Sequence, residues 1–553
     1  MVSIARVMRV AAPGGPIGRL GRWTHAPPAL WVPALVVGLL LALPLVYLVI
    51  RTAGAGDDAW ALLFRWRTVM ILLRTVALVV TVTVASVLIA VPVAWLTVRS
   101  NLPWPRFWSV VAALPLVIPS FVAGLVVQVA LGPRGMLQQA LEPILGVTEL
   151  PSIYGFPGAA LTLTLLSYPY VLLPAQSSLR RQDPLLEDAS RSLGHGRRAT
   201  LRRVTLPMLG PAVGAGSLLV ALYTLTDFGA VSLLRYETFT WAIFVQFESA
   251  FDRGVAAALS LVLVALAAAI LAVEAVARGR ARYHGVGPGA MAEPRRILLG
   301  RWMAPALALM AALGAVALIG PMGVLAYWVG RGLAGGQELI SVWEPLLNSV
   351  LVAALAAIAA AVASLPVAAL VVRYPSRFAW VIERATYTGF ALPGLVVAIS
   401  LVFFAVNLAR PLYQTLFLLI MAYVVLFFPA MLAAVRTALA QVRPNVEDAA
   451  RTLGRSPIAT LVQVTLPLIW PGIASGIGLV FLLTMKELPA TLILGPIGFK
   501  TLATATWSAA SEAFFARAAM SALLIVLAAG VPLLLLRLRM GRATPAATPP
   551  VRQ

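Results

Sequence analysis

Cysteine is absent from all 553 residues, which excludes a disulfide, a thiolate metal site and a cysteine nucleophile. Histidine is nearly as scarce: His25, His195 and His284 fall in polar segments, too scattered to suggest a metal centre. No phosphate loop of the form G-x-x-x-x-G-K-S/T is present. The nearest stretch, Gly495-Pro-Ile-Gly-Phe499-Lys500-Thr501, has phenylalanine where the second glycine must stand. With no nucleophile–base arrangement either, the chain is expected not to be an enzyme. It should hold no catalytic residue, no metal and no cofactor of its own.

Charge is thin as well, at 11% of residues, while 61% are hydrophobic and mean hydropathy is +0.93. A membrane helix needs about 20 apolar residues to cross roughly 30 Å of hydrocarbon. Twelve such runs lie near 29–50, 73–98, 108–131, 156–179, 208–232, 255–277, 302–327, 346–372, 385–408, 413–435, 467–492 and 515–536. The pattern predicts an all-α polytopic membrane protein of about twelve transmembrane helices.

A net charge of +22 is compatible with nucleic acid, but its distribution assigns it to topology instead. Both termini and the loops 99–107, 180–206, 278–301, 373–384 and 436–463 together carry 30 Arg against 8 acids, with Glu274 counted on that side. The opposite loops and nearby helix ends hold 11 basic and 10 acidic residues. Arginine accumulates on the cytoplasmic side of membrane proteins. Both termini are therefore expected in the cytoplasm, and no nucleic-acid partner is expected.

The chain repeats itself. Pro184-Leu-Leu-Glu187-Asp188-Ala189-Ser-Arg191-Ser-Leu193-Gly194 closes on Val204-Thr205-Leu206-Pro207. Its second copy, Pro444-Asn-Val-Glu447-Asp448-Ala449-Ala-Arg451-Thr-Leu453-Gly454, closes on Val464-Thr465-Leu466-Pro467, 260 residues on without a gap. Earlier matches, Pro92-Val93-Ala94 with Arg99 against Pro366-Val367-Ala368 with Arg373, are 274 apart, so a short indel separates the halves. Leu114-Pro115 and Leu392-Pro393 read as a further matched pair of kinks. The expected organisation is a basic tail (1–28), a first half (29–277), a cytoplasmic linker (278–301), a second half (302–538) and a disordered tail (539–553). The halves enter the membrane in the same orientation, a parallel repeat. The segment 132–155, with Arg134, Glu142 and Glu149, suits a short helix on the outer face and contact with an external partner.

Each island reads as a short helix–turn–helix on the cytoplasmic surface. Pro184 suits a first helical turn with Asp183 as cap, and Asn445 with Asp448 has capping-box spacing. Gly194 and Gly454 fall where a helix ends in a left-handed turn. A second stretch follows and is expected to stop at Leu-Pro. Small Ala189, Ser190, Ala449 and Ala450 leave room for another protein.

These residues resemble the cytoplasmic "EAA" loop of permease subunits in binding-protein-dependent ATP-binding-cassette importers. That loop pairs acid-Ala-Ala with a glycine six residues on and ends in Leu-Pro; Asp188–Gly194 and Asp448–Gly454 fit, with Asp for the family's Glu and Ser190 for an Ala. The resemblance implies a coupling helix that fits a groove in an ATPase subunit, made here by Glu187, Asp188, Ala189, Gly194 and Pro207 and by Glu447, Asp448, Ala449, Gly454 and Pro467. Which acid of each pair touches the ATPase stays open. It also implies two ATPase copies carrying ATP and Mg, an extracytoplasmic solute-binding protein, a multi-pass place in the inner-membrane bilayer and alternating access. Thr226-Asp227-Phe228-Gly229 and Met485-Lys486-Glu487-Leu488-Pro489 resemble stretches of the fused twelve-helix ferric-iron permeases, with thiamine, polyamine and phosphonate permeases as near relatives. A secondary transporter or channel is the alternative of another class.

Asp227 and Glu487 are equivalent under the 260 offset, one ionisable group from each half. Charged residues within apolar runs usually face a cavity or a partner. Twenty residues beyond Pro207 and Pro467, about 30 Å along a helix, they are expected near the outer mouth. Tyr223, Asp227, Lys486 and Glu487 are the candidate path residues. The competing reading is structural: neutralisation of the acids by Lys486 or Arg235, and packing for Tyr223.

Overall fold

The computed structural model describes residues 27–54, 61, 64–248, 253–279, 297–336 and 342–542. Most of both expected tails and of the linker, together with His25 and His284, lies outside them. A chain in lipid must satisfy its backbone hydrogen bonds internally. Accordingly the described residues form helices joined by turns, with one isolated bridge pair.

The first half comprises α1 (Pro28–Ala53), α2 (Trp66–Arg99), α3 (Pro105–Val111), α4 (Ser120–Leu131), α5 (Met136–Leu145) and α6 (Phe156–Arg181). It continues with α7 (Pro184–Ser192), α8 (Arg197–Thr200), α9 (Leu206–Thr226), α10 (Gly229–Leu233), α11 (Phe239–Glu248) and α12 (Arg253–Gly279). The second half opens with α13 (Met303–Gly314), α14 (Gly320–Ala334), α15 (Trp343–Arg373), α16 (Arg377–Ala391), α17 (Gly394–Leu408) and α18 (Leu416–Gln441). Then come α19 (Pro444–Thr452), α20 (Pro457–Thr460), α21 (Leu466–Met485), α22 (Pro489–Leu494), α23 (Leu502–Ser511) and α24 (Phe515–Arg542).

Ten helical stretches among the described residues are long and apolar enough to cross a membrane; two more of the twelve runs correspond to the shorter Gly394–Leu408 and Phe515–Gly530. Two of the runs read as continuous spans are broken at matched prolines. Residues 108–131 divide into α3, a 3-10 turn at Leu114–Val117 and α4, and residues 385–408 break at Leu392-Pro393. Proline lacks the N–H that continues a helix, so it opens the next one instead. Pro119 precedes α4 as Pro393 precedes α17, 274 residues apart, the spacing of Pro92 and Pro366. That corrects the pairing of Pro115 with Pro393. From α6 and α18 onward both helix ends match at 260, Phe156 with Leu416 and Arg181 with Gln441. The indel therefore lies in 132–155, which forms the short amphipathic α5, an element the second half does not repeat.

The halves interlock. α1 packs on α15, α16 and α17 of the other half, with Gly38 against Ile382, Trp31 edge-on to Phe378 at 6.2 Å and Tyr47 to Phe404 at 6.4 Å. Reciprocally, Ala306 and Met310 of α13 are buried with α2, α6 and α9, and Gly314 abuts Val111 of α3. A third cluster joins Phe121 and Phe228 of the first half to Met485, Leu488 and Leu502 of the second. The end of the linker is also pinned to the first half: Ile297 N–H donates to the Arg99 carbonyl (2.8 Å) and Asn101 N–H to the Ile297 carbonyl (3.1 Å).

Candidate coupling surface and translocation path

The islands fold as two matched surface helices, α7 and α19, each beginning with proline at the first turn. Asp183 caps α7, its carboxylate accepting from Leu185 N–H at 2.9 Å. The matching residue before α19 is Arg443, and Asn445 lies inside the helix; the capping box expected there does not form. Pro444 takes the first helical position, leaving its successor no role as a cap. Both helices end alike. Gly194 and Gly454 have φ of +84° and +83°, and His195 N–H and Arg455 N–H reach back to the carbonyls of Ser190 and Ala450 at 3.2 Å. This is the glycine-ended turn that satisfies the last carbonyls of a helix.

The faces of α7 and α19 divide by residue. Asp188, Ala189, Asp448 and Ala449 are exposed, as are Leu193 (78%) and Leu453 (84%). Ser190 and Ala450 turn inward instead, so only one small residue of each expected pair faces outward. Ser190 in the family's alanine position has an internal use: its hydroxyl is 3.2 Å from that of Thr200 and 3.4 Å from His195 Nδ1. In the second half Ala450 offers nothing, and the Thr460 hydroxyl is buried without a hydrogen-bond partner.

Glu187 and Glu447 also turn inward. The Glu187 carboxylate meets Arg99 at 3.2 Å and accepts from the Thr205 hydroxyl at 3.0 Å. Glu447 takes two nitrogens of Arg373, at 2.8 and 3.2 Å, and the Thr465 hydroxyl at 3.3 Å. The arginines finish α2 and α15 and each makes one further bond, Arg99 to Gln182 Oε1 (3.0 Å) and Arg373 to the Val442 carbonyl (3.1 Å). In the sequence all four partners, Arg99, Thr205, Arg373 and Thr465, stand out only as repeat markers with no role attached. Their duplicated positions were the signal available.

The helices entering the membrane do not begin at Leu-Pro. α8 runs through a π-helical turn, Leu201–Thr205, directly into α9, and α20 runs through Leu461–Thr465 into α21. Leu206 N–H donates to the Leu201 carbonyl and Leu466 N–H to the Leu461 carbonyl, the wider i→i+5 spacing. Pro207 and Pro467 follow at once and have no N–H to donate; the widened turn accommodates them without a break. Each surface island is thus continuous with a membrane helix.

At the far ends of α9 and α21 the chain breaks at the two acids, so the runs 208–232 and 467–492 are each two helices. Asp227 Oδ1 accepts from the N–H groups of Ala230 (3.0 Å) and Val231 (3.3 Å), and Glu487 Oε1 from Ala490 N–H (3.2 Å). Each acid caps the short helix that follows it, α10 or α22. Each also lies against the first residue of a second helix, Asp227 beside Ser120 of α4 and Glu487 beside Gly394 of α17. Neither cation neutralises them: Lys486 Nζ donates to the Leu116 carbonyl across the junction of the halves (3.2 Å), and the Arg235 guanidinium stacks on Tyr154 (5.3 Å). The Tyr223 ring packs on Tyr170 at 5.5 Å, with Ser120 in hydrogen-bonding reach. Among the described residues no cluster of three or more His, Asp or Glu side chains forms a metal site. The near-miss phosphate loop is a turn at Gly498 leading into α23, which Thr501 caps in a capping box.

Two interlocked helical units, each joining an exposed surface helix to a membrane helix, define a duplicated membrane transport component. Residues 94–282 and 353–540 both match the binding-protein-dependent transport system inner membrane component, and the chain belongs to that family. Fe(3+)-transport system permease protein FbpB 2 of Haemophilus influenzae is 35% identical over 518 residues, 92% of this chain and 98% of its own. The ferric transport system permease protein FbpB of Actinobacillus pleuropneumoniae is 26% identical over 410 residues, 70% of this chain and 59% of that protein. Molybdenum transport system permease protein ModB of Escherichia coli K12 is 31% identical over 208 residues, 36% of this chain and 88% of that shorter protein. The resemblance to fused permeases holds along nearly the whole length, and the chain is a multi-pass component of an inner-membrane transport system. The family excludes the secondary-transporter or channel alternative.

Proposed function

We propose that the chain is the translocation subunit of an ATP-driven importer that takes ferric iron from an extracytoplasmic binding protein into the cytoplasm. The observation that carries the reading is the duplicated exposed face around Asp188-Ala189 and Asp448-Ala449, each followed across a glycine turn by a helix that runs unbroken into the membrane. Two faces call for two ATPase copies, which would supply the ATP and Mg sites. The arginine distribution supports a cytoplasmic side for α7, α19 and both termini. Closure of the ATPases on ATP would draw the two faces together, tilt α9 and α21 and open the path outward; hydrolysis would reverse it. Ferric cargo is supported by the name of a relative that aligns with 92% of the chain, whereas the molybdenum permease aligns with 36% of it.

The test is to purify the tagged chain from its native membrane, identify what accompanies it, and titrate the co-expressed external binding protein with Fe³⁺, molybdate, thiamine and polyamines. An ATPase with an iron-binding partner is expected. A partner blind to iron would discard the cargo and keep the importer; no ATPase would overturn the importer.

A further inference from the structure

We infer that Glu187 and Glu447 are not ATPase contacts but the pins of two internal joints that transmit motion from α7 and α19 into the membrane. The inference rests on the importer reading. Each carboxylate binds three elements at one point. It belongs to the surface helix, it holds the arginine that ends α2 or α15, and it accepts from the threonine that closes the π turn before α9 or α21. The side chains of Glu187 and Glu447 are only 17% and 12% exposed, while the adjacent Asp188 and Asp448 are open to a partner. An acid already engaged by arginine and threonine inside its own chain has little left to offer an ATPase. A partner that moves α7 therefore moves the ends of α2 and α9 together, because one carboxylate ties them. Without the tie, the surface helix can shift while the membrane helices stay behind.

The joints are unequal. Arg99 reaches Glu187 through one nitrogen. Arg373 grips Glu447 through two nitrogens. A two-point arginine–carboxylate pair fixes orientation as well as distance. The second joint should therefore transmit more of the motion.

The experiment reconstitutes the full chain with its ATPase and binding protein in vesicles and reads three quantities: ATPase retained on purification, ATP hydrolysed, and solute imported. Glu447→Gln and Arg373→Gln should keep the ATPase bound and hydrolysing while solute imported per ATP falls roughly 5–10-fold, the scale on which residues along a coupling network act. Glu187→Gln should fall less. The exchanged pair R373E/E447R should recover most of the ratio, an outcome that mere loss of folding does not give. Thr465→Val, which removes one hydrogen bond and leaves the ion pair, serves if the charge variants do not reach the membrane, and it should lower the same ratio. Loss of the ATPase in Glu447→Gln, with Asp448→Asn retaining it, would overturn the assignment by making Glu447 the docking residue. An unchanged ratio in Glu447→Gln, or in Thr465→Val, would also overturn it. A wild-type chain that carries no ATPase would remove the importer reading and the joint together, which separates the two failures.

Discussion

Asp227 and Glu487 show how a charge placed in an apolar run is held. Each sits at a helix break and accepts backbone N–H groups of the next short helix, so the positive end of a helix faces the carboxylate. Asparagine and glutamine keep an acceptor oxygen in the same place, and alanine does not. Loss of such a cap costs about 0.5–2 kcal/mol. Asp227→Asn and Glu487→Gln should therefore preserve membrane levels and melting temperature, while the alanine variants lower both. Uptake of radiolabelled Fe³⁺ then separates cap from cargo site. Uptake retained in the amide variants assigns the acids to structure, and uptake lost at normal protein level assigns the carboxylate charge to the path.

At the scale of the element, the glycine-ended turns of α7 and α19 place the exposed faces. Nothing lies within 4 Å of the position a Cβ would take at Gly194 or Gly454, so the chain itself has space for a side chain. The left-handed backbone at φ near +84° nevertheless costs a non-glycine residue about 1–2 kcal/mol. Gly454→Leu should thus insert and accumulate nearly normally but lose ATPase association and uptake, because the added bulk meets only a partner. Immunoblot of membranes beside co-purification checks this; a variant that binds ATPase and transports normally would put the docking face elsewhere. The π turns carry a second lesson. Leu206-Pro207 and Leu466-Pro467 read as helix starts in sequence, yet a wider turn before the proline keeps the helix continuous from surface to membrane.

At the scale of the whole molecule, the halves are repeats but not separable units. α1 finds most of its partners in the second half, beside α12 of its own, and α13 is buried with helices of the first, so each half alone leaves apolar faces uncovered that were shaped for the other. Cutting the chain between residues 287 and 288 and co-expressing the pieces should restore stable protein and uptake. Either piece alone should be degraded, as judged by membrane immunoblot. Equal stability of the isolated halves would show that the exchange of first helices contributes little.

The sequence by itself determined the class of the molecule. Composition and run length dictate helices in lipid, and the exact 260-residue repeat marks two matched polar segments between apolar runs. These features are local: they depend on residues near one another in the chain. Only the tertiary structure decided which acid of each Glu-Asp pair is free, which proline matches which, and which half each first helix joins. Glu187 and Asp188 are adjacent and chemically alike, and what separates them is Arg99, 88 residues earlier, brought alongside by the packing of α2 on α6 and α9. A contact between distant residues leaves no spacing to read, and a kink left by one proline looks like that of another until its neighbours in space are known.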